Sequence, residues 1–266
     1  MPFTPLFVSS TAAWLKAAGP AWIQGRALTG ATSGTTIVTA FSAAVGVGNT
    51  VCGFVTFAGS GPNIVSSVSD DKGNSYFFES GTLITGDGQN VTAFHRSNIT
   101  NAPTTITVTL SVSNGFFDMV IDEFSGCFAG GSDGRDVASQ GQYQSSPGGT
   151  TDAVQSGAGI TTVTNGCLIY GATLGDRATL GTYPIIGTGF AVGTSGTGNA
   201  GALRSEWLVQ AAAGSGTKAT FTGDGSINWA TWVIALKPAG AVAPGAKSLA
   251  FPTSPRLRFM RPPRRK

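Results

Sequence analysis

The order of apolar and polar residues along the chain predicts β-strands nearly throughout. Ile106, Val108 and Leu110 alternate with threonines, as expected for a strand with one buried and one solvated face. Residues 51–57 and 229–236 are apolar at successive positions, which indicates central strands covered on both faces. The full set of predicted strands is 23–29, 35–41, 50–58, 75–79, 90–96, 104–112, 116–124, 159–162, 167–173, 203–209, 218–222 and 229–236.

Turn signals separate these strands at intervals of roughly 8–15 residues, the spacing of a β-sandwich or a closed barrel. The segment from Asp70 to Asn74 has the sequence DDKGN and predicts a tight hairpin turn. Glycine-rich stretches at 130–149 and 186–201 predict two longer loops. The expected fold class is therefore all-β, an antiparallel β-sandwich of jelly-roll-like architecture.

Helical spacing is confined to the start of the chain. Ser10 or Thr11 can cap a short helix over residues 12–18, which Gly19 and Pro20 would end. No basic residue precedes this stretch, so it does not resemble an export signal. We expect a short N-terminal helix that leads into the strands.

Composition favours a globular chain over a disordered or membrane-spanning one. The 266 residues include 39 glycines, and 41% are hydrophobic while only 11% are charged. Disordered chains have the opposite balance, and the glycines lack the three-residue period of collagen. No apolar run reaches the ~18 residues that cross a bilayer, so we expect no membrane span.

Charge divides the chain into a mildly acidic body and a basic end. Residues 1–240 hold all 13 acidic residues and nine basic ones, whereas residues 241–266 hold seven basic residues and no acidic one. Four prolines after position 250 favour an extended, polyproline-like arm. We therefore predict an N-terminal arm with the helix at 1–22, a β-sandwich domain at 23–238 and a basic C-terminal arm at 239–266.

Several segments resemble a β-sandwich module that recurs in bacteriophage virion proteins and bacterial surface proteins. The resemblance rests on residues 35–39, 49–55 and 66–76, on the TITVT strand at 105–109 and on the closing strand at 229–238. It covers roughly residues 24–238 and implies a sandwich fold. It implies no shared catalytic residues, and the basic arm has no counterpart in the module.

Candidate catalytic chemistry is sparse, and we predict that the chain is not an enzyme. His95 is the single histidine, and no G-x-S-x-G motif accompanies it, so we expect a structural histidine. The one acidic strand carries Asp118, Asp122 and Glu123. Strand alternation places the two aspartates on one face and Glu123 on the other, with the Cα atoms of the two aspartates about 13 Å apart. A glycoside hydrolase needs two carboxyl groups closer together on one face, so this arrangement suits that activity poorly.

Metal and cofactor sites are not predicted. Cys52, Cys127 and Cys167 each lie in an apolar run without Cys-x-x-Cys spacing, so we expect free, buried thiols. Oxygen ligands from the DDKGN segment would suit calcium, but the segment is too short to supply six of them, and a structural turn is favoured.

Aromatic residues suggest a second kind of site. Tyr143, Tyr183 and Phe190 lie in or near the glycine-rich stretches, where exposed rings would stack on sugars. This reading gives a carbohydrate-binding, lectin-like module as an alternative function. The tryptophans Trp207, Trp229 and Trp232 lie in predicted strands and are expected in the core.

The basic arm is the strongest indication of a partner. Arginine pairs well with carboxylates and phosphates, and apolar side chains between the arginines can fill pockets. An acidic protein surface is the favoured partner; nucleic acid is the less favoured one, because the acidic body would repel a duplex. The predicted contact residues are Phe251, Arg256, Leu257, Arg258, Phe259, Met260, Arg261, Arg264, Arg265 and Lys266.

These observations together favour a structural protein of a bacteriophage particle. The expected partners are other virion proteins, of the capsid or the tail, and further copies of this chain. The expected location is the virion, assembled in the cytoplasm of a bacterial host. A lectin-like adhesin or receptor-recognition module is the first alternative, and a glycoside hydrolase is the last.

Overall fold

The chain folds into antiparallel β-sheets, as seen in a computed structural model that describes residues 18–58, 64–79, 82–84, 89–136, 142–146, 154–176, 185–198, 201–223 and 228–241. No helix occurs among these residues. The strands are β1 (Ala21–Ala40), β2 (Thr50–Ala58), β3 (Val65–Asp70), β4 (Phe77–Phe78), β5 (Thr82–Ile84), β6 (Gln89–Arg96), β7 (Thr105–Ser125), β8 (Gln142–Ser146), β9 (Val154–Gln155), β10 (Cys167–Asp176), β11 (Ile185–Ile186), β12 (Ala191–Thr197), β13 (Gly201–Gln210), β14 (Thr220–Thr222) and β15 (Trp229–Leu236).

The strands form three sheets. The first sheet has the order β1-β7-β2-β6-β4, with β3 paired to β7 and β5 paired to β6. The second sheet has the order β12-β13-β10-β15-β8, and the third, small sheet has the order β11-β14-β9. Every strand pair is antiparallel, which confirms the predicted all-β class and is consistent with a β-sandwich.

Three apolar cores separate these layers. One core lies between the first and second sheets, where Phe54 and Phe124 meet Tyr170 and Trp232. A second core lies on the other face of the first sheet, and a third lies between the second sheet and the small one. Because β2 and β15 each contribute to two of these cores, their residues are buried on both faces, as the continuous apolar runs predicted.

The two longest strands bend rather than end. The sequence predicted two strands within each, but β1 has 20 residues and β7 has 21. Register shifts at Leu28/Ala31 and Gly34/Thr36 let the pair bend together. Both halves of β7 consequently face the same core, since Val108 and Met119 belong to one cluster.

The predicted glycine-rich loops contain strands, which corrects that prediction. The stretch 186–201 includes β12, and the stretch 130–149 includes β8. In β12 the glycines allow close approach: a side chain at Gly196 would collide with Ala27 and Thr29 of β1. In this strand glycine allows two strands to approach closely and does not mark a turn.

The predicted hairpin turn is confirmed. Asp70 accepts hydrogen bonds from the backbone N–H groups of Lys72 and Asn74 at 3.0 and 2.9 Å, and Gly73 has a φ of 84°, which glycine adopts readily. The predicted N-terminal helix lies, apart from Ala18, outside the described residues. Within the described part of the chain, no helix has the length and apolar character needed to cross a membrane.

Candidate functional site

The two ends of the described body meet at one place. Gly126, which follows β7, has a φ of 70°, and a side chain there would collide with the backbone of Ala18 and Gly19. The Ala239 N–H donates a hydrogen bond of 2.7 Å to the Gly126 carbonyl. Ala18, Gly19 and Ala239 therefore lie together around Gly126.

A groove of about 540 Å³ opens beside this meeting point. We call it the exit groove, and its lining is mostly apolar: Gly19, Gly166, Val209, Ala211, Pro238 and Gly240 contribute to it. Asn165 also lines it, and its Oδ1 already accepts a hydrogen bond from the Ala213 N–H at 2.8 Å. Among the described residues that line it, none is charged, so the groove suits an apolar occupant.

The exit groove was not predicted from the sequence. Glycine, alanine and proline carry no chemistry that marks a site, and they come together from four separate parts of the chain. The one available signal was that residues 19 and 240 lie just outside the predicted domain of residues 23–238.

The predicted contact residues of the basic arm lie outside the described residues. These are Phe251, Arg256, Leu257, Arg258, Phe259, Met260, Arg261, Arg264, Arg265 and Lys266. Their role stays a prediction.

The three predicted glycan-contact aromatics do not form one described surface. Phe190 is partly buried and packs against the third core, where its ring is not free on both faces. Tyr143 lies on the strand β8, opposite Trp232 of β15. Tyr183 lies outside the described residues. Trp229 and Trp232 are buried, and Trp207 packs against the first core, as predicted for core tryptophans.

Asp122 is the centre of a buried polar network between the first two sheets. Its Oδ1 accepts from Trp22 Nε1 at 2.8 Å and from the Thr194 hydroxyl at 2.6 Å. Its Oδ2 accepts from the hydroxyls of Tyr170 at 2.9 Å and Ser205 at 2.6 Å. Burial raises the pKa of Asp122 although these four hydrogen bonds act to lower it. A carboxylate has about four acceptor sites, so internal donors fill those of Asp122.

The other acids of this strand follow the predicted alternation. Asp118 is fully buried. Its carboxylate lies next to Gly198, at the end of β12, where an added side chain would overlap it. Glu123 faces the opposite side and accepts from Gln24 Nε2 at 2.6 Å and from the Gly46 N–H at 2.8 Å. The two aspartates share a face, as expected, and that face is enclosed by the second sheet.

His95 belongs to a charged cluster at the margin of the first sheet. Its ring is fully buried, stacks on Phe77 with centroids 5.6 Å apart, and lies 3.0 Å through Nε2 from Asp133 Oδ1. Burial lowers the pKa of His95, against the effect of Asp133. Because the Asp133 carboxylate can only accept, the ring donates from Nε2. Arg135 joins the cluster by binding Asp133 through two nitrogens and Glu79 through a third.

The partners of His95 were not singled out by the sequence. Partial burial acts to raise the pKa of Asp133, but hydrogen bonds from His95 and Arg135 lower it. Each carboxylate of the cluster is paired with Arg135, so the cluster is an ion-paired contact between a loop and the sheet.

Glu206 is a second buried acid that sequence reasoning missed. It accepts hydrogen bonds from the N–H groups of Gly187 and Thr220, both at 2.8 Å, and thereby joins β13 to the small third sheet. Burial raises its pKa to about 7, while the two backbone donors act to lower it. Glu206 is the single acid of β13, so the sequence showed no pair of carboxylates that would mark a site.

The cysteines and the acidic turn have structural roles. Cys52, Cys127 and Cys167 are free and buried, as predicted, and burial raises the pKa of Cys127 and Cys167 to about 12. In the turn, Asp70 binds the side chain of Asn74 and Asp71 binds backbone N–H groups. Among the described residues no group of three or more metal-ligating side chains comes together.

Comparison of the chain with protein-family models, with curated proteins and with solved structures gives no match.

Proposed function

We propose that this chain is a non-enzymatic structural protein of a bacteriophage particle. It would be a decoration or fibre-type β-sandwich of jelly-roll-like architecture, attached to the head or the tail by its terminal arms. On this proposal it resides in the virion after assembly in the host cytoplasm, and its partners are capsid or tail subunits and further copies of itself.

The observation that carries the proposal is the meeting of both ends at Gly126. Two arms that leave a globular body at one place can act together as a single attachment point. The rest of the body would then project from the surface of the head or the tail. The resemblance to the phage-associated module and the basic composition of the arm after residue 240 support the same reading.

The state of the buried acids also supports a non-catalytic role. Asp122 accepts four internal hydrogen bonds, so no acceptor site remains for a substrate or an attacking water. A glycoside hydrolase consequently ranks last. That activity would be favoured only if hydrolysis were found and then lost on joint substitution of Asp118 and Asp122.

Particle incorporation tests the proposal directly. Deletion of residues 248–266 should strongly reduce the amount of protein that co-purifies with particles, because it removes the charged and apolar contacts of the arm. A chain with a glycine/serine arm of equal length should fail in the same way. Circular dichroism would verify that both variants fold, and incorporation at the wild-type level would show that the arm does not anchor the protein.

A carbohydrate-binding module is the second candidate. Phe77 and Phe78 are partly exposed on β4 at the margin of the first sheet, and the Arg135 guanidinium lies over the Phe77 ring, 5.9 Å from its centroid. Glycan-array binding by the full chain that is lost in Phe78→Ala and retained in Phe116→Ala would favour this function, since Phe116 is a similarly exposed phenylalanine far along β7.

A further inference from the structure

A single buried carboxyl group of the second sheet binds two segments of the small third sheet. Glu206 of β13 is fully buried, and each of its oxygens accepts one hydrogen bond of 2.8 Å, from the N–H groups of Gly187 and Thr220. Thr220 begins β14, and Gly187 directly follows β11. The contact between β13 and the third sheet therefore depends on the state of this one side chain.

The third sheet has few backbone contacts of its own. Its strands β9, β11 and β14 have two, two and three residues, and each of its strand pairs is registered over two residues. Short elements with few backbone hydrogen bonds open at a lower free energy than large sheets. The third sheet can therefore open locally while the first and second sheets stay folded.

Glycines at the borders of this sheet can act as hinges. Gly189 follows β11 with a φ of 86°, and Gly216 precedes β14 with a φ of 73°. An added Cβ atom would meet no described neighbour within 4 Å at either position, so packing does not hold the backbone there. Because glycine adopts positive and negative φ about equally well, these positions can absorb the change in backbone angle that a displacement needs.

Three other titratable side chains lie on the described elements that pack around Glu206. Arg204 is two residues away on the same face of β13, and Lys218 lies just before β14, where its Nζ contacts Gln155 Oε1 at 3.1 Å. Cys167 of β10 belongs to the third core. The strands β9, β11, β12, β14 and β15 carry no titratable side chain. The two hydrogen-bond donors that reach Glu206 are themselves neutral backbone groups.

Ionisation of Glu206 is disfavoured while the third sheet stays closed. A carboxylate removed from water is costly unless its partners offset that cost. Burial accordingly raises the pKa of Glu206 to about 7, although the two backbone donors act to lower it. In an open arrangement water would solvate the group, and its pKa would return towards the usual value of about 4.3. Between these values the closed sheet binds a proton that the open sheet releases, so rising pH favours opening.

We propose that Glu206 is a pH-sensitive switch whose ionisation releases the small third sheet from β13 and exposes the third core. Opening would uncover Ile186 and Phe221, which pack in that core, while the other two cores stay closed. The protein would then present an apolar surface above about pH 7 that it hides in mild acid. The switch is independent of the proposed attachment to a particle.

Amide hydrogen exchange of the full chain tests the switch at the two hydrogen bonds that it breaks. After correction for the intrinsic pH dependence of exchange, protection of the Gly187 and Thr220 amides should fall by about tenfold or more from pH 5 to pH 8. At pH 8 the amides of the central strand β2 should remain much better protected than these two. Unchanged protection of the two amides would overturn the inference, and so would equal protection in β2, because exchange would then require unfolding of the whole chain.

The Glu206→Gln variant removes the titration and keeps the size of the side chain. Protection of its Thr220 amide should not change with pH between 5 and 8, whatever its absolute value. Glu123→Gln is the matched control, because Glu123 is a buried glutamate of the first sheet that also accepts a backbone N–H, from Gly46. This control should keep the wild-type pH dependence at Thr220. A wild-type pH dependence in Glu206→Gln would assign the switch to another group and overturn the inference.

Binding of a hydrophobic dye gives a second readout that needs no variant. Anilinonaphthalene sulfonate fluoresces on exposed apolar surface, so the full chain should bind more of it at pH 8 than at pH 5, and the change should reverse on acidification. Circular dichroism would verify that the sheets stay folded at both pH values. Dye binding that stays constant or falls as the pH rises would show that the third core does not open.

Discussion

At the scale of single residues, several buried acids of the described body accept hydrogen bonds from internal donors. Asp122 is the clearest example, because the side chains of Trp22, Tyr170, Thr194 and Ser205 all converge on it. A carboxylate in this position fixes four side chains from four strands relative to one another. The network therefore specifies how the first sheet docks on the second.

Removal of the Asp122 carboxylate should be strongly destabilising. Asp122→Ala leaves buried hydroxyl and indole donors without their acceptor, so we expect a loss of about 3–5 kcal/mol in the free energy of unfolding. Urea denaturation measures it. Asp71→Ala is the control, because the exposed Asp71 binds backbone N–H groups that water can reach, and its cost should stay below about 1 kcal/mol. Equal costs for both variants would show that the buried network is not a major source of stability.

Glu206 predicts a pH dependence with a defined sign. Its pKa is about 7 in the folded protein, above the usual value of about 4.3. Between these values the folded state holds a proton that the unfolded state has released, so stability present below about pH 4.3 is lost as the pH rises towards 7. The loss is on the order of 3 kcal/mol.

The Glu206→Gln variant isolates this contribution. Other groups also contribute to the pH dependence of stability, including His95, whose pKa burial lowers. We therefore expect the difference in unfolding free energy between wild type and variant to change in favour of the variant from pH 5 to pH 8, as measured by urea denaturation at each pH. A constant difference across this range would contradict the assignment.

At the scale of elements, the behaviour of glycine explains most differences between prediction and structure. The central strands β2 and β15 were predictable because their apolar runs are continuous. The strand β12 was not, because Gly193, Gly196 and Gly198 in or beside it resemble loop residues in the sequence. Glycine is required at these positions by tertiary packing, because β12 approaches the acids of β7 and the side chains of β1 too closely for a Cβ atom.

The shared bend of β1 and β7 could not be predicted from the local sequence either. Asn114 and Gly115 lie between the predicted strands 104–112 and 116–124, and Gly34 of β1 lies opposite Asn114. Both strands are irregular at the same level, so the gap between the two predicted strands is a shared bend. The exit groove could not be predicted from the sequence, because its lining residues come from separate parts of the chain and form a groove only where the two ends of the described body meet.

The close contact of β12 with β1 yields an element-scale prediction. Gly196→Ala places a methyl group against Ala27 and Thr29, so we expect a loss of about 1–3 kcal/mol in unfolding free energy from overpacking. Gly131→Ala is the matched control, because its nearest neighbour to an added Cβ is a Phe128 ring atom at 3.8 Å. Thermal denaturation compares the two, and a neutral Gly196→Ala would show that the strands can separate at no cost.

At the scale of the whole molecule, the described body should be independent of its arms. All three cores are built within residues 37–236. We expect a chain of residues 18–241 to unfold within about 1 kcal/mol of the full chain when both are compared as monomers at low concentration. Urea denaturation checks this if the unfolding free energy of both chains depends equally on urea concentration. A large loss would mean that the arms complete the fold and do not serve attachment.

The two sheets also approach each other along their margins. The strand β1 lies against β12 on one side, and β5 lies against β8 on the other. Exposed strand margins are the usual route by which β-proteins polymerise through backbone hydrogen bonds. Where β1 meets β12 and β5 meets β8, the margins are shielded, so copies that lie close together would not pair through these strands.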